Sequence, residues 1–242
     1  MILAARKVNS RLEDEADANM DSAIASLSRH VDPHKSVVMA TIMAASKRMG
    51  AALGLTLVNA ASDMRKVAAT RLHAELAAAG YQVNRGEMVQ LQSLVYPDTT
   101  LATSAGESLA VQWRSSALSR SLTAIRKEAS VPKALEESRR VLRSSIERTA
   151  HTEAVRAYSE AHRQEMAELL ERDVRARQFV EEQGLQREWV CMVDACDDCL
   201  ELDGERCDID GSFPGGAIAP LHPRCRCQEM IVSISHTRIK VA

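Results

Sequence analysis

The chain has 242 residues, enough for one large domain or two modest ones. A formal charge of -2 argues against a globally basic nucleic-acid binder, although it leaves a local basic surface open. Aromatic residues make up only 3%, and the abundance of Ala, Leu, Arg and Glu excludes a sheet-dominated protein in favour of a helical one.

Met1-Ile2-Leu3-Ala4-Ala5 runs directly into Arg6-Lys7, which does not form a secretory leader. Residues 4–30 predict a polar amphipathic helix with Val8, Leu12, Met20, Ile24 and Leu27 as its apolar stripe. Asp32-Pro33 suits an N-cap followed by a first helical position. A second, long helix is expected over 36–79, ended by Gly80. Within it, Gly50 and Gly54 mark either a break or the close approach of a neighbouring helix. The least polar stretch, 48–63, is too short and too interrupted to span a bilayer.

Tyr81 to Gly86 and Tyr96-Pro97-Asp98 read as turns. Ser104-Ala105-Gly106-Glu107 fits a capping box, opening a helix that carries Leu109, Trp113, Leu118, Leu122 and Ile125. Pro132 opens a further helical stretch, one helix or two, that ends before Gly184. On it, Arg139, Arg140, Arg143 and Arg148 alternate with Glu136, Glu137 and Glu147, the pattern of a solvated face with pairs along one helix.

After Gly184 the texture changes. Residues 189–193 and 229–234 are strand candidates, and all six cysteines fall between Cys191 and Cys227. A C-x-x-C pair (Cys196, Cys199) and an H-x-x-C-x-C cluster (His222, Cys225, Cys227) flank a turn-rich loop, which is the arrangement a tetrahedral zinc site needs. Disulfides or plain free thiols are the alternatives, and a cytosolic chain favours metal. The preferred ligands are Cys196, Cys199, His222 and Cys225, with Cys227 replacing His222 or Cys225. Four protein ligands leave no open position, so such an ion would be structural. A unit this small has too little apolar surface to hold together without a staple.

His151-Thr152-Glu153 followed by Cys196 and Cys199 also spells the H-x-E and C-x-x-C order of zinc deaminases. Ala195 stands where those enzymes carry proline, the intervening segment is long and helical, and His151 lies inside a helical pattern. No H-E-x-x-H, G-x-S-x-G or phosphate-cradling glycine loop occurs.

The order of features resembles the phage Mu F-like minor head (head morphogenesis) proteins over about residues 131–235. The matching pieces are Thr149-Ala150-His151-Thr152-Glu153, Ala157, Trp189, Asp194, Cys196, Cys199, Leu202-Asp203-Gly204 and His222-Pro223-Arg224-Cys225-Arg226-Cys227. His151 and Tyr158 depart from the family's usual Arg and Asn. Cys191 and Cys207 fall outside its pattern and are expected to be a packed thiol and a loop thiol. The resemblance implies a virion component inside the head near the portal, assisting head assembly, DNA packaging or genome ejection. Portal and capsid proteins would be its partners; beside the cysteine cluster, Arg224 and Arg226 are candidates to touch a DNA phosphate, with structural salt bridges as the rival reading. It would be made in the host cytoplasm, with no small-molecule substrate and no membrane span. A zinc-binding adapter outside any virion is the rival reading.

The expected architecture is therefore mainly α. Long helices fill the N-terminal region (1–130) and the central part, and a small zinc-stapled α+β unit lies at the C-terminus. The family-like stretch divides into helix (131–183) and zinc-binding unit (184–235), followed by a tail (236–242).

Overall fold

The computed structural model describes residues 2–30, 34–82, 100–192, 195–222 and 225–233. Among these the chain forms helices α1 (Ile2–Ser28), α2 (Lys35–Ala79), α3 (Thr100–Arg126), α4 (Val131–Arg172) and α5 (Val174–Gln183). A small region follows with β1 (Leu185–Val190), the short helix α6 (Asp197–Leu200), β2 (Arg206–Asp208), a 3-10 turn (Pro214–Gly216) and β3 (Gln228–Ser233). The protein is mainly α-helical with a small C-terminal strand region, as expected. No described helix is long and apolar enough to cross a membrane. The helix start expected at Asp32-Pro33 and the turn expected at Tyr96-Pro97-Asp98 lie outside the described residues.

The chain packs as two compact units that are not consecutive stretches. One comprises Ile2–Ala60 and Pro97–His151, the other Ala61–Tyr96 and Thr152–Ala242. The segments 1–130 and 131–235 divide the chain by motif; packing divides it otherwise, because α2 and α4 each contribute to both units.

The first unit is built from α1, α3 and the adjoining parts of α2 and α4. Val8, Leu12, Ala16, Met20, Ala23 and Leu27 recur every three or four residues on α1 and are buried. Facing them in one core are Val38, Ile42, Met49, Leu53 and Leu57 of α2, Leu109 and Trp113 of α3, and Leu135, Leu142 and Ile146 of α4. The Trp113 indole N–H donates to Ser138 Oγ at 3.1 Å, so its one polar atom is satisfied in the core. Arg139 and Arg143 pair with Asp17 (3.4 and 2.6 Å), and Arg139 also pairs with Asp21, so both reach α1. Arg139 keeps a contact along its own helix, to Glu136 at 3.1 Å, but the expected solvated face is in part an interhelical seam.

The glycine pair of α2 admits a neighbour rather than breaking the helix. A Cβ on Gly106 of α3 would lie 2.3 Å from the backbone N of Gly54 and 2.6 Å from its Cα, so the two backbones touch. This contact also corrects the capping box: α3 begins at Thr100, and Ser104 lies inside it. Packing of this turn against α2, where Thr103 Cα would meet a Cβ on Gly54 at 3.3 Å, overrides the local signal.

In the second unit, α2 ends at Gly80 (φ +104), with Gly80 N–H donating to Ala77 O and Tyr81 N–H to Leu76 O. Those two bonds are a Schellman closure. The helical stretch after Pro132 is two helices. Asp173 breaks it as the N-cap of α5, accepting from Arg175 N–H at 2.9 Å and from the Tyr81 hydroxyl. Gly184, in the left-handed region, ends α5 and turns the chain straight into β1.

The sheet is antiparallel in the order β2-β1-β3, with Arg187 opposite Cys207 on one side and Ile231 on the other. β1 starts four residues before the expected 189–193. Its polar run Gln186-Arg187-Glu188 hid it, because Arg187 and Glu188 are buried as ion pairs, with Glu229 (2.6 Å) and Arg206 (2.8 Å). Val193 and Ile234, expected strand residues, lie outside the described ones. Leu72, Leu76, Met166, Leu169, Leu185, Ile209 and Ile231 form the core beneath the sheet.

Two predictions follow from this packing. Gly106→Ala should destabilise the helical unit by about 1–3 kcal/mol or more, because backbone cannot yield as a side chain does; denaturant unfolding measures it. Glu165 is 1% exposed, and Oε2 has no hydrogen-bond partner among the described residues. Burial and the nearby Glu168 raise its carboxyl from 4.5 to about 8. The folded chain therefore keeps a proton that the unfolded chain releases, and stability falls as pH rises from 4.5 to about 8. Glu165→Gln should flatten that slope in denaturation curves taken at pH 5, 7 and 9.

Candidate metal centre

The C-x-x-C pair sits on a single helical turn. Cys196 is the N-cap of α6 and Cys199 faces inward, with Cys199 N–H and Leu200 N–H both donating to the Cys196 carbonyl (3.1 and 2.9 Å). A second tight turn carries the other donors: Cys225 N–H donates to the His222 carbonyl at 3.0 Å. Between them Leu202-Asp203-Gly204 returns the chain to the sheet. Gly204 (φ +81) donates to Trp189 O, and Trp189 N–H donates to Glu205 O, each at 2.9 Å. Trp189 packs edge-on against Phe213 (5.5 Å between centroids) with Cys199, Cys207, Cys225 and Cys227 around them.

The sulfurs and the imidazole converge. His222 Nε2 lies 3.0 Å from Cys196 Sγ and 3.2 Å from Cys199 Sγ, and Cys199 Sγ lies 3.7 Å from Cys225 Sγ. Two triads result, Cys196/Cys199/His222 and Cys199/Cys225/Cys227, each with its donor atoms within 4.8 Å of one another. Every residue proposed from the sequence as a metal ligand is in one triad or the other, and Cys199 is in both. Bond lengths of about 2.3 Å to sulfur and 2.0–2.1 Å to nitrogen give tetrahedral edges of about 3.8 Å between sulfurs, close to Cys199–Cys225, and about 3.6 Å from sulfur to nitrogen, which the His222 imidazole would reach by moving a few tenths of an ångström outward. All six cysteines are free thiols.

The electrostatics favour a bound cation. The Cys199 thiol is pushed up by burial first and then by the neighbouring Cys196, Cys225 and Cys227 thiols. The exposed Cys196 thiol is drawn down, chiefly by the Cys199 backbone N–H, with His222 helping. Adjacent buried thiols cannot all ionise in one place without positive charge among them, and a metal ion supplies it. The residues present therefore fit a metal ion.

Other sequence expectations fare differently. Cys207 is a buried thiol on β2, held between β1 and the Trp189 cluster, where a loop thiol was expected. Cys191 is only half-buried, and its sulfur lies 3.4 Å from Cys227 Sγ. Cys191 lies outside the family-like pattern, although its position five residues before the C-x-x-C puts it within reach. Arg226 is exposed between two inward cysteines, while Asp194, Pro223 and Arg224 lie outside the described residues. Glu153 is paired with Arg156 at 2.8 Å, and neither His151 nor Glu153 belongs to a metal-holding group among the described residues.

No protein-family model matches this chain, nor does any curated protein or solved structure.

The metal should hold the small unit and little else. Cys196→Ser, or a strong chelator, should make the chain protease-sensitive after about Gly184 while far-UV helicity is largely kept. Limited proteolysis with circular dichroism checks this; loss of helicity throughout would show one cooperative core instead.

Proposed function

We propose that this chain is a non-enzymatic component of a phage head, a minor head protein near the portal whose C-terminal unit is closed by a structural zinc ion. It would be made in the host cytoplasm and assist head morphogenesis, DNA packaging or genome ejection, with portal and capsid proteins as partners. One observation carries the reading: features scattered along the resembling stretch serve a single local design. Trp189 forms the floor of the cluster, the Leu202-Asp203-Gly204 turn locks onto Trp189, and C-x-x-C and H-x-x-C-x-C supply the donors.

The zinc assignment is supported by the donor chemistry. Soft thiolates with one imidazole suit a d10 ion without geometric preference of its own, and structural zinc in small peptides binds with about 10–16 kcal/mol. Cys196, Cys199, His222 and Cys225 would complete a tetrahedron, leaving no position for substrate or activated water. The Glu153–Arg156 pairing likewise supports a helix-surface role for Glu153 rather than proton transfer. Arg226, with Arg224, would be the contact to packaged DNA or a partner.

Mass spectrometry of purified particles should find the chain in the head. Phage carrying Cys196→Ser should lack it there, or package or deliver DNA poorly. Absence from wild-type particles would favour a zinc-binding adapter outside the virion. Glu153→Gln should leave metal content unchanged, and zinc-dependent turnover abolished by that substitution would overturn the non-enzymatic reading.

A further inference from the structure

The four-donor set accounts for one ion and leaves two neighbouring thiols unassigned. Cys227 Sγ lies 3.4 Å from Cys191 Sγ, and the Cys191 thiol donates to the Cys199 carbonyl at 2.9 Å. We infer that the cluster holds two zinc ions, bridged by the thiolates of Cys199 and Cys225. Cys196 and His222 are terminal ligands of one ion, and Cys191 and Cys227 are terminal ligands of the other. The inference rests on the structural-zinc reading above and extends it to a second metal site.

The arrangement inferred is two tetrahedra sharing an edge. Such a pair has one shared sulfur–sulfur edge and two terminal edges, one at each end. The shared edge is Cys199–Cys225 at 3.7 Å, against about 3.8 Å expected from the zinc–sulfur bond length. The terminal pairs, Cys196–His222 at 3.0 Å and Cys191–Cys227 at 3.4 Å, are closer than the edges of about 3.6 and about 3.8 Å in a loaded site, so both would open slightly around an ion. Cys199 belongs to both triads, which is what a bridging thiolate requires; Cys225 shares the second triad with it, and Cys191 joins through Cys227.

Cys191 is also held in place. Its backbone N–H donates to Asp203 Oδ1 at 2.8 Å, so the turn that locks onto Trp189 also fixes the end of β1. Charge points the same way. Five thiolates and a neutral imidazole carry -5; one divalent ion would leave -3 in a largely buried cluster, and two leave -1. Loading releases the five thiol protons to solvent, and no electrons change hands.

The full-length chain, purified without added metal, should contain two zinc ions by elemental analysis. Cys191→Ser and Cys227→Ser should each lower the content to one, and Cys207→Ser, which belongs to neither donor triad, should keep two. Exchange with cadmium-113 should give two resonances that are mutually coupled through the shared sulfurs, a readout independent of any variant's folding. One ion per chain with Cys191→Ser unchanged would overturn the two-metal inference and leave the structural-zinc reading intact. No metal at all would overturn both. A Cys191–Cys227 disulfide in peptides mapped without reduction would also overturn the inference.

Discussion

The buried carboxylate of Glu229 ties the cysteine-rich unit together. It accepts from Arg187 of β1 at 2.6 Å, from Arg163 of α4 at 3.0 Å, and from the backbone N–H of Ala219 at 3.2 Å. Arg187 in turn donates to the Gly211 carbonyl and lies over the Phe213 ring. One carboxylate therefore joins a long helix, two strands and the loop that leads to His222. With both partners nearly inaccessible, removing either charge would strand the other, which typically costs about 3–5 kcal/mol. The network stabilises less than an apolar core of equal volume would, but it fixes direction. The paired guanidinium and carboxylate hold each other, and the groups they bond, in one mutual orientation.

That directional frame explains how a turn-rich segment can deliver donors to one place. The sheet has three short strands, and the apolar cluster around Trp189 and Phe213 is made largely of cysteines. Replacing those sulfurs by hydrocarbon would give a core too small to stand alone. Metal–thiolate bonds would supply the missing cohesion, and the backbone hydrogen bonds within Cys196–Leu200 and from Cys225 to His222 pre-set the donor directions. Structure and chemistry are thus the same feature: the cluster is both the core of the unit and its candidate site.

The helical unit solves a different problem. Its buried positions are mostly Ala, Leu, Met and Ile on long helices, and Ala-rich faces fill little volume. Density is recovered by letting backbones approach, as at Gly54 and Gly106. Ion pairs such as Arg143–Asp17 then set which faces meet.

Much of this was legible in the sequence. The buried stripe of α1, the end of α2 at Gly80 and the gathering of Cys196, Cys199, His222, Cys225 and Cys227 follow from local rules: helical period, glycine at positive φ, and paired soft donors around a loop. Those rules act over a few residues, so the residues themselves carry the signal. What needed the tertiary structure depended on partners far along the chain. β1 is disguised by charges that only Glu229 and Arg206 neutralise, and the box at Ser104 is overruled by a helix fifty residues earlier. Cys191 matches no motif, and only the return of β3 beside β1 brings Cys227 to its sulfur. Sequence determined which residues are able to bind a metal. The fold decided which of them meet, because a sulfur–sulfur distance is set by strand pairing and turns rather than by spacing along the chain.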